Sequence, residues 1–333
     1  MRRRLGQLMG AAALALWALS GARGGVAATD PLWETPFFRF HAPPALAETA
    51  GFYGDILERA RRRAAEHWSV PLNTPVAVYL WPRESWESLE RDQPAMRDVL
   101  AFVRGGDQSM VINHFGCRRA GLSELETTLT HEYVHCYLGR ALGDWPAGVE
   151  RRRLPRWLEE GLAMAVANQR GWWDATSLRW LGPRRMIPLM DLADDFPAEP
   201  SRQRLAYRQS ASAVQFLIEE NRGLTALIDR VVDPVEGPSF VASAWSPAVV
   251  AGLEQRWHAT VRLGWRWMLI FTTAGFAWAV VMVVALLAWR RRRELARRRL
   301  SRWAMEAEGL IAAGTSDEEQ DAEIERLLRG EEK

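Results

Sequence analysis

The residues most suited to metal binding and catalysis form one short motif, His131-Glu132-Tyr133-Val134-His135. Two histidines four positions apart lie one turn from each other on one face of a helix, so their imidazole nitrogens can converge on a metal ion. On such a helix Glu132 is rotated by about 100° from His131, so its carboxylate can reach a metal-bound water instead of the metal. The motif predicts a site for one Zn²⁺ per chain, with His131 and His135 as ligands and Glu132 as general base.

Two histidines alone leave zinc short of protein ligands, so a third ligand is expected downstream. The segment 154–163 predicts a new helix that begins at Pro155 and carries Glu159 and Glu160 in its second turn. Either carboxylate can supply the third ligand on this reasoning. The competing interpretation is a helix with two unrelated histidines, because a pattern of three fixed positions also arises by chance. The chain has only 6 histidines, which weighs against that alternative.

Together the two segments resemble the gluzincins, the metallopeptidase group that includes thermolysin, and most closely the peptidase MA-like family. In that family a His-Glu-x-x-His helix is followed by a Trp-Leu-x-Glu-Gly-x-Ala helix, which matches 157–163 here. The resemblance implies that Glu160 is the third ligand and that Glu159 lies on the surface or beside a ligand. It also implies an α+β fold, thermolysin-like, with a small mixed sheet and a helical C-terminal part.

The resemblance extends from about residue 37 to about residue 223 and suggests two further features of the site. In related enzymes a tyrosine at the start of a later helix donates a hydrogen bond to the oxyanion, and Tyr207, in a segment expected to open a helix, is the matching residue. Simple packing at a helix start is the alternative for this tyrosine. The strand expected at Ser109–Asn113 would be the cleft edge on which an extended peptide lies.

This sequence departs from its relatives at two points. It lacks the Gly-x-Met-Glu-Asn pattern with which the aminopeptidases hold a free N-terminus, and this favours an endopeptidase. Met164 stands four positions after Glu160, where a familiar arrangement has an acidic residue.

The elements that must position these residues follow from hydrophobic periodicity. Ser123 and Glu126 predict a capping box at the start of the motif helix. Upstream, the pattern predicts a helix over 47–68 and short strands over 37–41 and 76–80.

Both ends of the chain indicate export and membrane attachment. Residues 1–28 predict a secretory signal peptide, with an uncleaved anchor as the alternative. The uncharged segment 267–289 predicts a single transmembrane helix, and the arginines after it place the tail, 290–333, in the cytoplasm. The domain at 29–262 is then extracytoplasmic, periplasmic or extracellular.

Charge and cysteine content limit the partners. The formal net charge of +2 gives no reason to expect nucleic acid. The expected partners are a peptide or protein substrate, and membrane lipid through the span and the basic tail. In an oxidising compartment Cys117 and Cys136 are a candidate disulfide, with two buried free thiols as the alternative.

The sequence therefore predicts a membrane-anchored zinc peptidase that hydrolyses peptide bonds with metal-activated water. The alternatives are a non-proteolytic metal-binding module and a scaffold protein of the cell envelope whose tail does the work.

Overall fold

The computed structural model describes residues 32–72, 74–105, 107–143, 153–169, 178, 185–312 and 317–330. The chain divides into two compact units, Met1–Trp265 and Arg266–Lys333. The predicted signal peptide lies outside the described residues.

A small mixed sheet forms the β part of the first unit. Its five strands are β1 Trp33–Glu34, β2 Phe38–His41, β3 Val76–Trp81, β4 Ala101–Arg104 and β5 Ser109–Asn113. They lie in the order β1-β2-β3-β5-β4. The pairs β2-β3 and β3-β5 are parallel, whereas β1 and β4 run antiparallel to their neighbours at the two edges. The predicted strands near residues 37, 76 and 109 are confirmed.

The expectation that Ser109–Asn113 forms the cleft edge is wrong. This strand pairs with β3 on one side and with β4 on the other, and all of its residues are buried. A strand paired on both sides has no free row of amide and carbonyl groups with which to bind a peptide. The edge of the sheet next to β5 is instead Ala101–Arg104.

Helices make up most of the described chain. Those of the first unit are α1 Ala47–Ala65, α2 Arg83–Asp92, α3 His114–Cys117, α4 Leu122–Gly143, α5 Arg156–Val166, α6 Pro200–Glu220, α7 Leu224–Val232 and α8 Gly237–Ala244. The helix α9, Pro247–Ala312, continues into the second unit, and α10 is Asp317–Arg329. Short 3₁₀ turns occur at Pro44–Leu46, Pro94–Asp98 and Leu189–Leu192.

The transmembrane part of the fold prediction is corrected. In the described portion of the chain, no helix is both long enough and apolar enough to cross a membrane. Residues 267–289 form part of α9.

The helix α4 passes through the core, which explains the burial of its motif. All nine residues from Thr130 to Leu138 are buried, so this segment has no polar outer face. The predicted capping box is wrong. The helix already begins at Leu122, and Glu126 forms ion pairs with Arg59 and Arg63 on α1 instead of returning to the helix start.

A close helix crossing brings α5 against α6. A Cβ atom built on Gly161 would stand 2.4 Å from Val214 Cγ2 and 2.6 Å from the Ser210 carbonyl oxygen. Contacts this short are not tolerated, so only glycine lets the two backbones approach to this distance. The glycine that follows Glu160 therefore fixes the crossing of these helices beside the acidic residues.

Candidate metal centre

The two motif histidines face each other on α4. Their Nε2 atoms are 3.1 Å apart, and both side chains are buried. Two ligand atoms at about 2.1 Å from one zinc ion stand about 3.4 Å apart at the tetrahedral angle. The separation of the two nitrogens is therefore close to what one shared ion requires.

Glu160 completes a group of three. Its Oε2 lies 3.3 Å from His131 Nε2 and 3.8 Å from His135 Nε2. One ligand atom from each of the three side chains lies within 4.8 Å of the others. The donor set of two imidazoles and one carboxylate, buried together, can hold a metal ion.

Glu159 turns to the outer side of the same cluster. Its Oε1 lies 2.8 Å from Nδ1 of His135, on the opposite side of the ring from Nε2. When Nδ1–H donates to this carboxylate, the lone pair of Nε2 is left free and the ring is held in orientation. The structure therefore places Glu159 as a partner of His135, and Glu160 as the carboxylate that meets both histidines.

The other ligand histidine has no equivalent support. Nδ1 of His131 is buried and has no hydrogen-bond partner among the described residues. Met164, the residue four positions after Glu160, brings no acceptor to the site. The two histidines are therefore held in different ways, His135 by a carboxylate and His131 by packing.

Burial and charge shift the titration of the cluster. Burial raises the pKa of Glu132 to about 7, and the negative charges of Glu160 and Glu159 contribute to the rise while both histidines oppose it. Burial works to raise the pKa of Glu160 as well, but hydrogen bonds from His131 and His135 hold it well below its ordinary range.

The pKa of His135 moves in the opposite direction to that of Glu160. Burial favours its neutral form, yet the hydrogen bonds to Glu159 and Glu160 raise its pKa well above the ordinary value. In the absence of a cation, the proton on His135 balances part of the negative charge of this cluster. Metal binding must release that proton, so the affinity for metal should rise with pH.

Tyr207 lies beside this cluster but not at the start of a helix. The helix α6 begins at Pro200, where the side chain of Glu199 accepts hydrogen bonds from the amides of Ser201 and Arg202. Tyr207 follows two turns later, so its expected place at a helix start is wrong.

The hydroxyl of Tyr207 is a donor without an acceptor. It is buried and has no hydrogen-bond partner within the described parts of the chain. Burial raises the pKa of Tyr207 well above its ordinary value, and the charge of Glu160 raises it further. The hydroxyl therefore remains protonated near the two carboxylates Glu160 and Glu132, which both contribute to its electrostatic environment.

The expected disulfide is not formed. Cys117 and Cys136 are both free and buried. The thiol of Cys117 donates to the carbonyl oxygen of Leu100 at 3.5 Å, and Cys136 packs in the hydrophobic core from α4. Burial raises the pKa of both thiols, to about 12 for Cys117, so both stay in the neutral form.

Arg156 is a residue of the cluster that the sequence analysis missed. Its guanidinium forms ion pairs with Glu160 Oε1 at 3.5 Å and with Asp195 Oδ1 at 3.3 Å, and its side chain is 8% exposed. The spacing of Arg156 and Glu160, four residues apart on one helix, was an available signal. The ion pair between Arg156 and Asp195 joins residues far apart in the sequence, so no local pattern predicts it.

Comparison with known proteins adds no assignment to this geometry. A scan against protein-family models gives no match, and a search of the curated proteins gives none either. What the structure supports directly is a buried His131-His135-Glu160 group able to hold a metal ion.

Proposed function

We propose that the protein is a zinc-dependent peptidase that hydrolyses peptide bonds, and that it acts as an endopeptidase. The observation that carries this proposal is the arrangement of one buried carboxylate, Glu132, beside three converging ligands. Imidazole and carboxylate ligands suit Zn²⁺, and catalytic zinc sites combine three protein ligands with an open position.

Zinc, when bound, supplies a Lewis acid that polarises the substrate carbonyl and makes water acidic near neutral pH. Glu132 then accepts a proton from the attacking water and returns it to the leaving amine nitrogen. Burial raises the pKa of Glu132 in the metal-free chain, whereas a bound dication favours its ionised form, which is the form that accepts a proton. The hydroxyl of Tyr207 donates a hydrogen bond to the developing oxyanion of the substrate.

The test combines metal content with peptide hydrolysis on the purified full chain. We expect one zinc per chain in the wild type and in Glu132→Gln, and loss of zinc in His131→Ala and Glu160→Ala. Hydrolysis of an internally quenched peptide library should vanish in Glu132→Gln. Glu126→Gln is the matched control, since it removes a carboxylate from the same helix, where it pairs with α1. A folded wild-type chain that holds no zinc would refute the proposal.

The depth of the site favours one alternative function, a metal that only stabilises the fold. His135 and Glu160 are each 2% exposed, and His131 is 6% exposed. Structural zinc sites are closed by four protein ligands, however, and the ligand group found among the described residues has three. The alternative predicts that wild-type protein binds zinc and cleaves no peptide, while the peptidase proposal predicts cleavage that depends on Glu132.

A further inference from the structure

The carboxylate of Glu160 contacts a buried cation through the oxygen that does not face the histidines. Its two oxygens have different partners: Oε2 faces the histidines, and Oε1 lies 3.5 Å from Nη2 of Arg156. The carboxylate is 3% exposed and the guanidinium 8% exposed. Burying an arginine is costly unless its charge is balanced, so a cation at this position needs a specific reason.

Arg156 is itself anchored at two points outside α5. Its other terminal nitrogen, Nη1, lies 3.3 Å from Oδ1 of Asp195. Its backbone amide donates to the carbonyl oxygen of Ala193 at 2.7 Å, so the first residue of α5 is tied to the same loop. Phe196 lies under the guanidinium, with its ring centroid 5.4 Å from Cζ. These contacts fix the orientation of the guanidinium plane.

We propose that Arg156 is a positioning residue that holds Glu160 Oε1, so that Oε2 alone is presented to the metal. The proposal rests on the metal site of the proposed function and deepens it. A planar guanidinium has donors in a rigid fork, and here its two ends bridge Glu160 and Asp195. Asp195 and Arg156 thus orient the ligand Glu160, as Glu159 orients the ligand His135.

Charge and geometry predict opposite effects of removing Arg156, which makes the inference testable. If the guanidinium acted only through its charge, a nearby cation would repel the metal, and removing it would tighten metal binding. If it positions Glu160, removal should weaken binding, because partners of metal ligands are commonly worth about 10- to 100-fold in affinity.

The experiment measures zinc affinity of the full chain by competition with a chromophoric chelator, and the visible absorption of the Co²⁺ form. We expect Arg156→Gln to bind zinc about 10- to 100-fold more weakly and to change the cobalt spectrum. Arg156→Lys should not restore either property, because an ammonium lacks the fork that spans two carboxylates. Arg153→Gln is the matched control: Arg153 pairs with the neighbouring Asp194, but its side chain is 57% exposed.

Asp195→Asn keeps the guanidinium and tests the anchor alone, also in the event that Arg156→Gln does not fold. It should weaken zinc binding in the same direction and by less. Wild-type affinity in a folded Arg156→Gln or in Asp195→Asn, or full restoration by Arg156→Lys, overturns the positioning role. A wild-type chain without zinc overturns this role together with the proposed function. Wild-type protein that binds zinc but cleaves no peptide refutes only the peptidase, because both metal measurements remain decisive for Arg156.

Discussion

Replacing Glu132 by glutamine should change the stability of the metal-free protein in a way that depends on pH. Burial raises the pKa of Glu132 from 4.5 to about 7. Between these two values the folded chain holds a proton that the unfolded chain releases. Stability is therefore lost as pH rises, and the loss is complete above about pH 7.

The size of the effect follows from the shift. The pKa differs by roughly 2.5 units between the folded and unfolded states, and each unit corresponds to about 1.36 kcal/mol. At pH 8, ionised Glu132 therefore lowers the free energy of unfolding by about 3 kcal/mol. At pH 5, Glu132 lowers the free energy of unfolding by less than about 1 kcal/mol, because its carboxyl is largely protonated in the folded state. Glutamine is neutral throughout. The stability gained by Glu132→Gln should therefore be larger at pH 8 than at pH 5 by about 2.5 kcal/mol.

Denaturant unfolding of the wild type and the variant, in excess chelator at pH 5 and pH 8, measures this difference. Glu126→Gln shows what the loss of a carboxylate elsewhere on the same helix does. Saturation with zinc should reduce the pH dependence, since a bound dication favours the ionised form of Glu132. An equal change in stability at both pH values would show that Glu132 is not desolvated as the structure places it.

Three further substitutions test other parts of the site. Gly161→Ala should destabilise the protein by about 1–3 kcal/mol in denaturant unfolding, because the new methyl group would clash with α6. Gly51→Ala is the control: it lies on α1 with open space around its Cβ position, and it should increase the free energy of unfolding by about 0.5–1 kcal/mol. Tyr207→Phe should lower kcat by about 100-fold with zinc retained, and should raise the free energy of unfolding by about 1 kcal/mol, because an unpaired buried hydroxyl is removed. Glu159→Gln should weaken zinc binding about 10-fold in the chelator assay, through loss of the charged partner of His135.

Features set by local sequence were predictable. The spacing of His131 and His135 depends only on helical geometry, and the existence of β3 follows from an apolar run between Pro75 and Pro82, although only alternate residues of this strand are buried. The glycine after Glu160 was recognised as part of a motif, but its physical cause, the close approach of α6, became visible only in the structure.

Features set by distant parts of the chain were missed. The position of Ser109–Asn113 between two strands depends on the order of the sheet, which no short segment encodes. Glu126 was expected to cap the start of its own helix, but it forms ion pairs with two arginines of α1 instead. The free state of Cys117 and the link from Arg156 to Asp195 likewise depend on which residues meet after folding.

The ligands are divided between two helices, and this has a kinetic consequence. The histidines belong to α4 and the carboxylate belongs to α5, so the complete set exists only while these helices are packed together. If α5 separates from the core, an ion is left with two imidazoles and escapes easily. The rate at which a chelator strips metal from the protein should then report how often α5 opens, long before the whole chain unfolds.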